Sequence, residues 1–269
     1  MSPQEFINSP KHGSATLIPF DPNSEAQCKR LYEQRLACTW DYDLIEEWRA
    51  KVREGTKFMY WIVSFNCVRV GLGVKGADKE TQQTINDEVP EKDDFLAKHV
   101  ERFPKEKEAI VDTAETLGNS SRTPTLISFI PIGHIALELY PERQEQYSLP
   151  DSTVWIKSLY ISWAIQAGGF GRSAMHQLER LAGLPPLNAT VMALDTTTKK
   201  FQTTPESIAI VNKIRGSEIA SADFRSNEEW YARQGYDIIC YVDEMYKWVD
   251  QETGIAVSVP SVFMKKQLV

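Results

Sequence analysis

A glycine-rich stretch in the second half of the chain has the clearest capacity for chemistry. It lies between an apolar run at 155–161 and a segment whose apolar residues recur with helical spacing, and its members are Gln166, Ala167, Gly168, Gly169, Phe170, Gly171, Arg172 and Ser173. Glycine lets a backbone turn sharply and approach a ligand closely. The free amides and the dipole at the start of a helix favour a bound pyrophosphate. The stretch therefore predicts a binding site for a phosphorylated ligand.

One interpretation of this stretch is the nucleotide-binding loop of the dinucleotide fold. Gly169, Gly171 and Ala174 satisfy the G-x-G-x-x-A form of that fingerprint, and Asp195 stands about where a ribose-binding acid belongs. However, residues 162–168 separate the first glycine from the preceding strand, whereas the fingerprint places it directly at the end of the strand. The chain after the loop is also too short for the alternating strands and helices of that fold. An NAD-dependent oxidoreductase is therefore the minor alternative.

A second interpretation rests on four pieces of sequence that occur in a characteristic order. The spacing Gln166-x-x-Gly169-x-Gly171 resembles the pyrophosphate signature of the GNAT acetyltransferase superfamily. That signature consists of Gln or Arg, any two residues, Gly, any one residue, and then Gly or Ala. Residues 132–137 resemble the third strand of that superfamily and residues 159–161 its fourth. Residues 229–236 resemble its late helix, which carries a tyrosine. The resemblance covers about 131–240 well and the first 65 residues less closely.

The resemblance implies both a fold and an activity. The expected fold is α/β (α+β), with a mixed, mostly antiparallel central sheet that is splayed at a coenzyme A cleft and has helices on both faces. The expected activity is acetyl-CoA-dependent N-acetylation of a small-molecule amine by direct acyl transfer. The stretch 166–173 would bind the pyrophosphate, and the main chain of Tyr160 and Ile161 would meet the pantetheine arm and the thioester. Tyr231 would protonate the departing sulfur.

Residues on the acceptor side are harder to assign from the sequence. Glu138 and His134 lie at an even spacing on one predicted strand, so their side chains share a face and could relay a proton from the amine. A lone histidine on a strand is also commonly structural. Asp41 and Asp43 stand beside aromatic residues where the superfamily often builds its acceptor pocket, and they would suit a cationic or aryl amine. The alternative for both aspartates is an exposed surface position.

Three further functions stay open at this point. The first two are use of another acyl-CoA donor and transfer to an oxygen acceptor. The third is a catalytically inactive module that binds coenzyme A or another protein.

Composition limits the class of protein. A chain of 269 residues with 42% hydrophobic and 25% charged residues predicts one soluble domain. The net charge of −7 disfavours a nucleic-acid partner, because phosphate backbones are bound by basic surfaces. The longest apolar stretch is too short to cross a bilayer, and residues 1–11 lack the pattern of a secretory signal, so we expect a cytoplasmic protein without a membrane partner. The four cysteines are scattered, which predicts neither a metal site nor disulfides.

The oligomeric state is expected to be a monomer or a homodimer, and the sequence does not choose between them.

The elements that position these residues follow from periodicity and capping signals. We expect strands at 15–19, 57–65, 126–139 (one or two strands), 153–163, 190–194, 236–242 and 259–266, and helices at 24–38, 44–52 and 171–181. Asp43 would cap the second helix. Thr204, Pro205 and Glu206 predict the start of another helix that Gly216 ends, and Ser226 with Glu229 predicts a capping box.

One segment does not fit the superfamily pattern. Residues 75–123 contain eight Lys or Arg and twelve Asp or Glu, a balance of 8 − 12 = −4. They predict a polar insertion within the single domain, either as a solvated helical loop or as a lid over the substrate.

Overall fold

The computed structural model describes residues 13–64, 94–250 and 254–268. Within these ranges the α-helices are α1 (Glu25–Cys38), α2 (Ile45–Arg53), α3 (Asp94–Arg102), α4 (Pro141–Gln146), α5 (Phe170–Ala182), α6 (Lys199–Gln202), α7 (Pro205–Arg215) and α8 (Asn227–Ala232). The strands are β1 (Ala15–Pro19), β2 (Lys57–Ser64), β3 (Ile110–Val111), β4 (Thr116–Leu117), β5 (Ser120–Ser121), β6 (Ser128–Phe129), β7 (Gly133–Glu138), β8 (Thr153–Ile161), β9 (Val191–Thr197), β10 (Asp237–Val249) and β11 (Ala256–Gln267). Among these helices none is both long enough and apolar enough to cross a bilayer.

Seven strands form the main sheet, in the order β1-β2-β7-β8-β9-β11-β10. β1 runs antiparallel to β2, and β11 runs antiparallel to both β9 and β10, whereas β8 and β9 are parallel. Two short antiparallel pairs, β3–β6 and β4–β5, stand apart from the main sheet. The fold is therefore mixed α/β with a mostly antiparallel sheet, and the predicted fold class is confirmed. The regular parallel alternation of a dinucleotide fold is absent from the described residues.

Residues of the chain group into two compact units, each built from three separate stretches. The first unit comprises 1–34, 43–135 and 158–178, and the second comprises 35–42, 136–157 and 179–269. Strands β7 and β8 each contain residues of both units. Organisation as one domain stays a prediction.

The core of the first unit is built around β2, all eight residues of which are buried. α2 is amphipathic, and Ile45, Trp48 and Val52 form its buried face. The predicted cap of α2 is wrong: a 3₁₀ turn, Tyr42–Leu44, precedes the helix, and the N-cap position is occupied by Leu44 without a side-chain hydrogen bond. At the start of β7, Gly133 lies so close to the Tyr160 carbonyl that any added Cβ would collide with it.

Part of the predicted polar insertion belongs to this first unit. Residues 75–93 lie outside the described residues. From 94 onwards the segment forms α3, a 3₁₀ turn at Pro104–Glu106, and β3 to β5. His99, Glu106 and Asp112 are all buried, so this part is packed rather than a solvated loop.

The second unit has an aromatic core on β8, β9 and β11. Trp155, Ala193 and Phe263 are fully buried there, and Tyr147 tilts over Phe263 with the ring centroids 4.7 Å apart. The capping predictions on this side are confirmed: Thr204 caps α7 by accepting a hydrogen bond from Ser207 N at 3.2 Å. The capping box at the start of α8 is likewise present.

Candidate functional site

The glycine-rich stretch forms a tight loop that leads from β8 into α5. Ala167 and Gly169 both adopt positive φ, at 68° and 93°, and α5 begins at Phe170. The Ser173 amide donates to the Gly169 carbonyl at 3.0 Å, so the first helical turn closes around the loop. The earlier amides of that turn have no acceptor within the helix, as at the start of any α-helix. The loop therefore presents backbone donors and the positive end of the α5 dipole.

Neighbouring backbone holds this loop in place. The Gly13 amide donates to the Gly168 carbonyl at 2.6 Å, and the Ala15 amide donates to Ser173 Oγ at 3.0 Å. Gln166 Nε2 donates to the Ile161 carbonyl at 3.2 Å. Ser173 Oγ is the acceptor in its contact with Ala15, and Gln166 anchors the loop to the end of β8.

Several of the predicted coenzyme A residues have buried side chains. Phe170 packs edge-on against Phe95, with centroids 5.0 Å apart, and Tyr160 tilts over His134 at 5.5 Å. Ile161 is buried as well. Only the main chain of these three residues is suited to contact a ligand, whereas the Arg172 side chain is exposed at the start of α5.

His134 belongs to a buried polar network in the first unit. His134 Nδ1 lies 2.9 Å from Gln34 Oε1, and Gln34 Nε2 donates to Glu106 Oε2 at 2.8 Å. Glu106 in turn lies 3.5 Å from His99 Nε2, and His99 Nδ1 lies 2.8 Å from Ser162 Oγ. This network connects α1, α3 and the end of β8, so His134 has a structural role. Glu138, the other candidate base, lies on β7 with its side chain buried.

Tyr231 is a buried residue of α8 in the second unit, with 8% of its surface exposed. Its ring contacts Trp230 and Tyr236, with centroids 4.8 and 5.9 Å away. Burial and then the negative charge of Asp195 raise the pKa of its hydroxyl above the ordinary value. Within the described part of the chain this hydroxyl has no hydrogen-bond partner, which leaves it available to a ligand.

The geometry of β8 changes at its middle. Its parallel register with β9 runs from Thr153–Val191 to Ile156–Leu194, although β8 continues to Ile161 and β9 to Thr197. Ser158 has a φ of 58°, which is unusual for a residue other than glycine inside a strand. Such a kink redirects the side chains that follow it.

A charged cluster of the second unit lies where this register ends. Asp195 Oδ1 accepts from Arg143 Nη1 at 2.7 Å and from Lys157 Nζ at 2.6 Å, and its Oδ2 accepts from the Tyr246 hydroxyl at 2.6 Å. Burial alone would raise the pKa of Asp195, but the charges of Lys157 and Arg143 outweigh it and hold the pKa below its usual range. Asp195 is thus an ionised partner of these groups and not a ribose-binding acid.

Arg143, Lys157 and Tyr246 were not among the site residues predicted from the sequence. A usable signal existed for Lys157, because it is the one charged residue in the mostly apolar run 153–161. Arg143 and Tyr246 carry no comparable local signal.

The aspartates proposed for an acceptor pocket have ordinary surroundings. Asp41 pairs with Arg35 at 3.1 Å, and Asp43 is exposed. Within the described ranges, no group of three or more His, Cys, Asp and Glu side chains is arranged to hold a metal ion.

No family model matches the chain, and a search of curated proteins finds no relative. Solved structures similar to it include the aminoglycoside 6'-N-acetyltransferase from Enterococcus faecium, at 11% identity over 94% of this chain and 97% of that chain, with a TM-score of 0.46. The spermidine/spermine N-acetyltransferase SpeG from Vibrio cholerae is 9% identical over 95% and 93%, with a TM-score of 0.43. NAA60 from Arabidopsis thaliana, solved with acetyl-CoA, is 8% identical over 95% and 99%, with a TM-score of 0.46. Two of these three structures are named N-acetyltransferases, and the third was solved with acetyl-CoA.

Proposed function

We propose that the chain is an N-acetyltransferase that uses acetyl-CoA and a small-molecule amine. The observation that carries this proposal is the loop at 166–173, which has the superfamily spacing and leads directly into the amides of α5. A pyrophosphate bound there would meet backbone donors, the α5 dipole and the exposed side chain of Arg172. The backbone of Tyr160 and Ile161 would hold the pantetheine arm.

Transfer is proposed to be direct, without an acyl-cysteine intermediate. Burial raises the pKa of Cys28 to about 11 and also raises the pKa values of Cys38 and Cys240. The thiolate is the nucleophilic form of cysteine, so these three described thiols are poorly suited to attack a thioester.

Acetyl-CoA supplies an activated acetyl group, and the protein has three tasks in its transfer to an amine. It must bind the amine in its neutral form, stabilise negative charge on the thioester oxygen and assist departure of the thiolate. We assign the second task to the main-chain amide near Ile161 and the third to the Tyr231 hydroxyl. Glu138 stays the candidate base, acting through water.

Calorimetric titration with acetyl-CoA tests this proposal. The wild-type chain should bind acetyl-CoA and neither NAD nor ATP. Gly169→Ala should weaken binding roughly tenfold or more, because a side chain at a φ of 93° strains the loop by about 1–3 kcal/mol. Gly183→Ala is the matched control, since an added Cβ there finds its nearest neighbour, the Arg180 carbonyl, at 3.7 Å.

Failure of the wild-type chain to bind acetyl-CoA would overturn the proposed function. If Gly169→Ala and Gly183→Ala weakened acetyl-CoA binding equally, the assignment of the loop as the pyrophosphate site would be wrong.

A further inference from the structure

The charged cluster of the second unit consists of Arg143, Lys157, Asp195 and Tyr246, and it carries more positive than negative charge. Two cations share one carboxylate, so the formal charge of the cluster is 2 − 1 = +1. Within the described residues, Asp195 is the carboxylate that both cations contact. The cluster can therefore accept one further negative charge.

Both cations keep hydrogen-bond donors available to a ligand. A guanidinium has five N–H donors, and the described contacts of Arg143 go to Asp195 Oδ1 at 2.7 Å and to the Tyr246 hydroxyl at 3.4 Å. Lys157 contacts the same two groups, at 2.6 and 3.4 Å. The side chains of Arg143 and Lys157 are each 17% exposed, whereas that of Asp195 is 5% exposed. The cations thus face solvent more than the carboxylate does.

The aromatic residues around the cluster do not form a cage for a ligand cation. The Arg143 guanidinium already lies over the rings of Tyr140, Trp155 and Phe263, at 4.7, 5.3 and 5.5 Å from their centroids. Lys157 lies 5.9 Å from the ring centroid of Tyr246. The π faces that would attract a cationic amine are occupied by cations of the protein itself, which would repel it.

The cluster lies near the proposed acid within the same unit. α8, which carries Tyr231, packs against β9, which carries Asp195. The charge of Asp195 also acts on the Tyr231 hydroxyl. An acceptor that reached Tyr231 would therefore come close to Lys157 and Arg143.

We propose that the acceptor amine carries an anionic group, such as a carboxylate, and that Lys157 and Arg143 bind it. This inference rests on the proposed acetyltransferase function and names the class of its second substrate. It also replaces the cationic amine that Asp41 and Asp43 suggested, since Asp41 is paired with Arg35 and Asp43 is exposed. Lys157 and Arg143 would act as specificity residues through contact with the substrate.

The test uses matched pairs of amines that differ in one charge. With acetyl-CoA present, kcat/KM is measured for 4-aminobenzoate and its methyl ester, for phenylalanine and its amide, and for spermidine as a polycation. The wild-type protein should prefer the carboxylate member of a pair by roughly tenfold or more, since hydrogen bonds to charged groups are among the stronger ones. Preference for the neutral members or for spermidine would overturn the inference.

Variants separate a role in binding from a role in folding. Lys157→Met should abolish the preference, and Lys157→Arg should restore most of it. Lys247→Met, at an exposed position on β10, is the control and should leave the preference unchanged. A purely structural role of Lys157 would lower the melting temperature and reduce turnover of both members of a pair equally, which would also overturn the inference.

Calorimetry distinguishes failure of this inference from failure of the proposed function. Acetyl-CoA should bind Lys157→Met as tightly as it binds the wild type. A loss of acetyl-CoA affinity in that variant would mean that the cluster binds a phosphate of the co-substrate, contrary to the inference. If the wild type bound no acetyl-CoA, the proposed function would fail, and titration with 4-aminobenzoate alone would still decide whether the cluster binds a carboxylate.

Discussion

At the scale of single residues, Tyr231 shows how surroundings select one chemical role among several. Burial and the charge of Asp195 raise the pKa of its hydroxyl, so the phenol stays protonated at neutral pH. Each unit by which its pKa exceeds that of the departing thiol adds about 1.4 kcal/mol to the free-energy cost of complete proton transfer to the sulfur. We therefore assign Tyr231 mainly to hydrogen-bond donation to the sulfur, rather than to full protonation as the resemblance implied.

Removal of this hydroxyl should lower turnover without affecting binding. In Tyr231→Phe we expect kcat to fall roughly ten- to a hundredfold, because transition-state stabilisation is lost while the ring still fills its buried position. Steady-state kinetics and titration with acetyl-CoA measure the two effects separately. Tyr241→Phe is the matched control, because it removes the hydroxyl of a tyrosine that is 57% exposed. Full turnover in Tyr231→Phe would contradict the role.

At the scale of elements, the small sheet β3–β6 owes part of its stability to one buried carboxylate. Asp112 follows β3 and accepts from Arg122 Nη1 and Nη2 at 2.7 and 2.8 Å, and from the Thr125 hydroxyl at 2.6 Å. Burial alone would raise the pKa of Asp112, but these hydrogen bonds outweigh it and lower the pKa to about 2. The segment predicted as a polar insertion is therefore held by a specific ion pair.

Stability should depend on pH through this group. Because the folded pKa of Asp112 lies below its unfolded value, its contribution is complete above about pH 4 and disappears as the pH falls towards 2. We expect Asp112→Asn to lower the free energy of unfolding at pH 7 by about 2 kcal/mol. Urea unfolding at several pH values should show that the difference from wild type narrows below pH 4. Asp237→Asn, at an exposed position, should change little, and a difference for Asp112→Asn that does not vary with pH would refute this account.

At the scale of the whole molecule, the two compact units share strands. β7 passes from one unit to the other between Ile135 and Ala136, and β8 does so between Lys157 and Ser158. Each of these two strands is thus one continuous stretch of backbone that belongs to both units. Shared strands therefore favour unfolding as one cooperative domain.

Differential scanning calorimetry measures this cooperativity. We expect one transition whose calorimetric and van't Hoff enthalpies agree, as for a single cooperative domain. Two separate transitions, or a calorimetric enthalpy well above the van't Hoff value, would show that the units unfold independently and would refute the single-domain prediction.

The sequence alone determined the features whose causes are local. The cap at Thr204, the capping box at Ser226 and the strand–loop–helix around Gly169 each depend on residues a few positions apart, so spacing and residue type predict them. The helix at 141–146 was not predicted, because six largely polar residues carry no hydrophobic period.

Only the tertiary structure decided which charged residues meet. The partners in the cluster around Asp195 are separated by 38 to 103 residues, and no local pattern relates them. Sheet order places β8 beside β9 and places β10 one strand further on, beyond β11, and the direction of each side chain from its strand then decides the contact. For the same reason, the burial of His99 and Glu106 in a segment dense in charge follows from packing that residue type alone does not predict. Partner choice for a charge is a long-range property, because it depends on where the rest of the chain has folded.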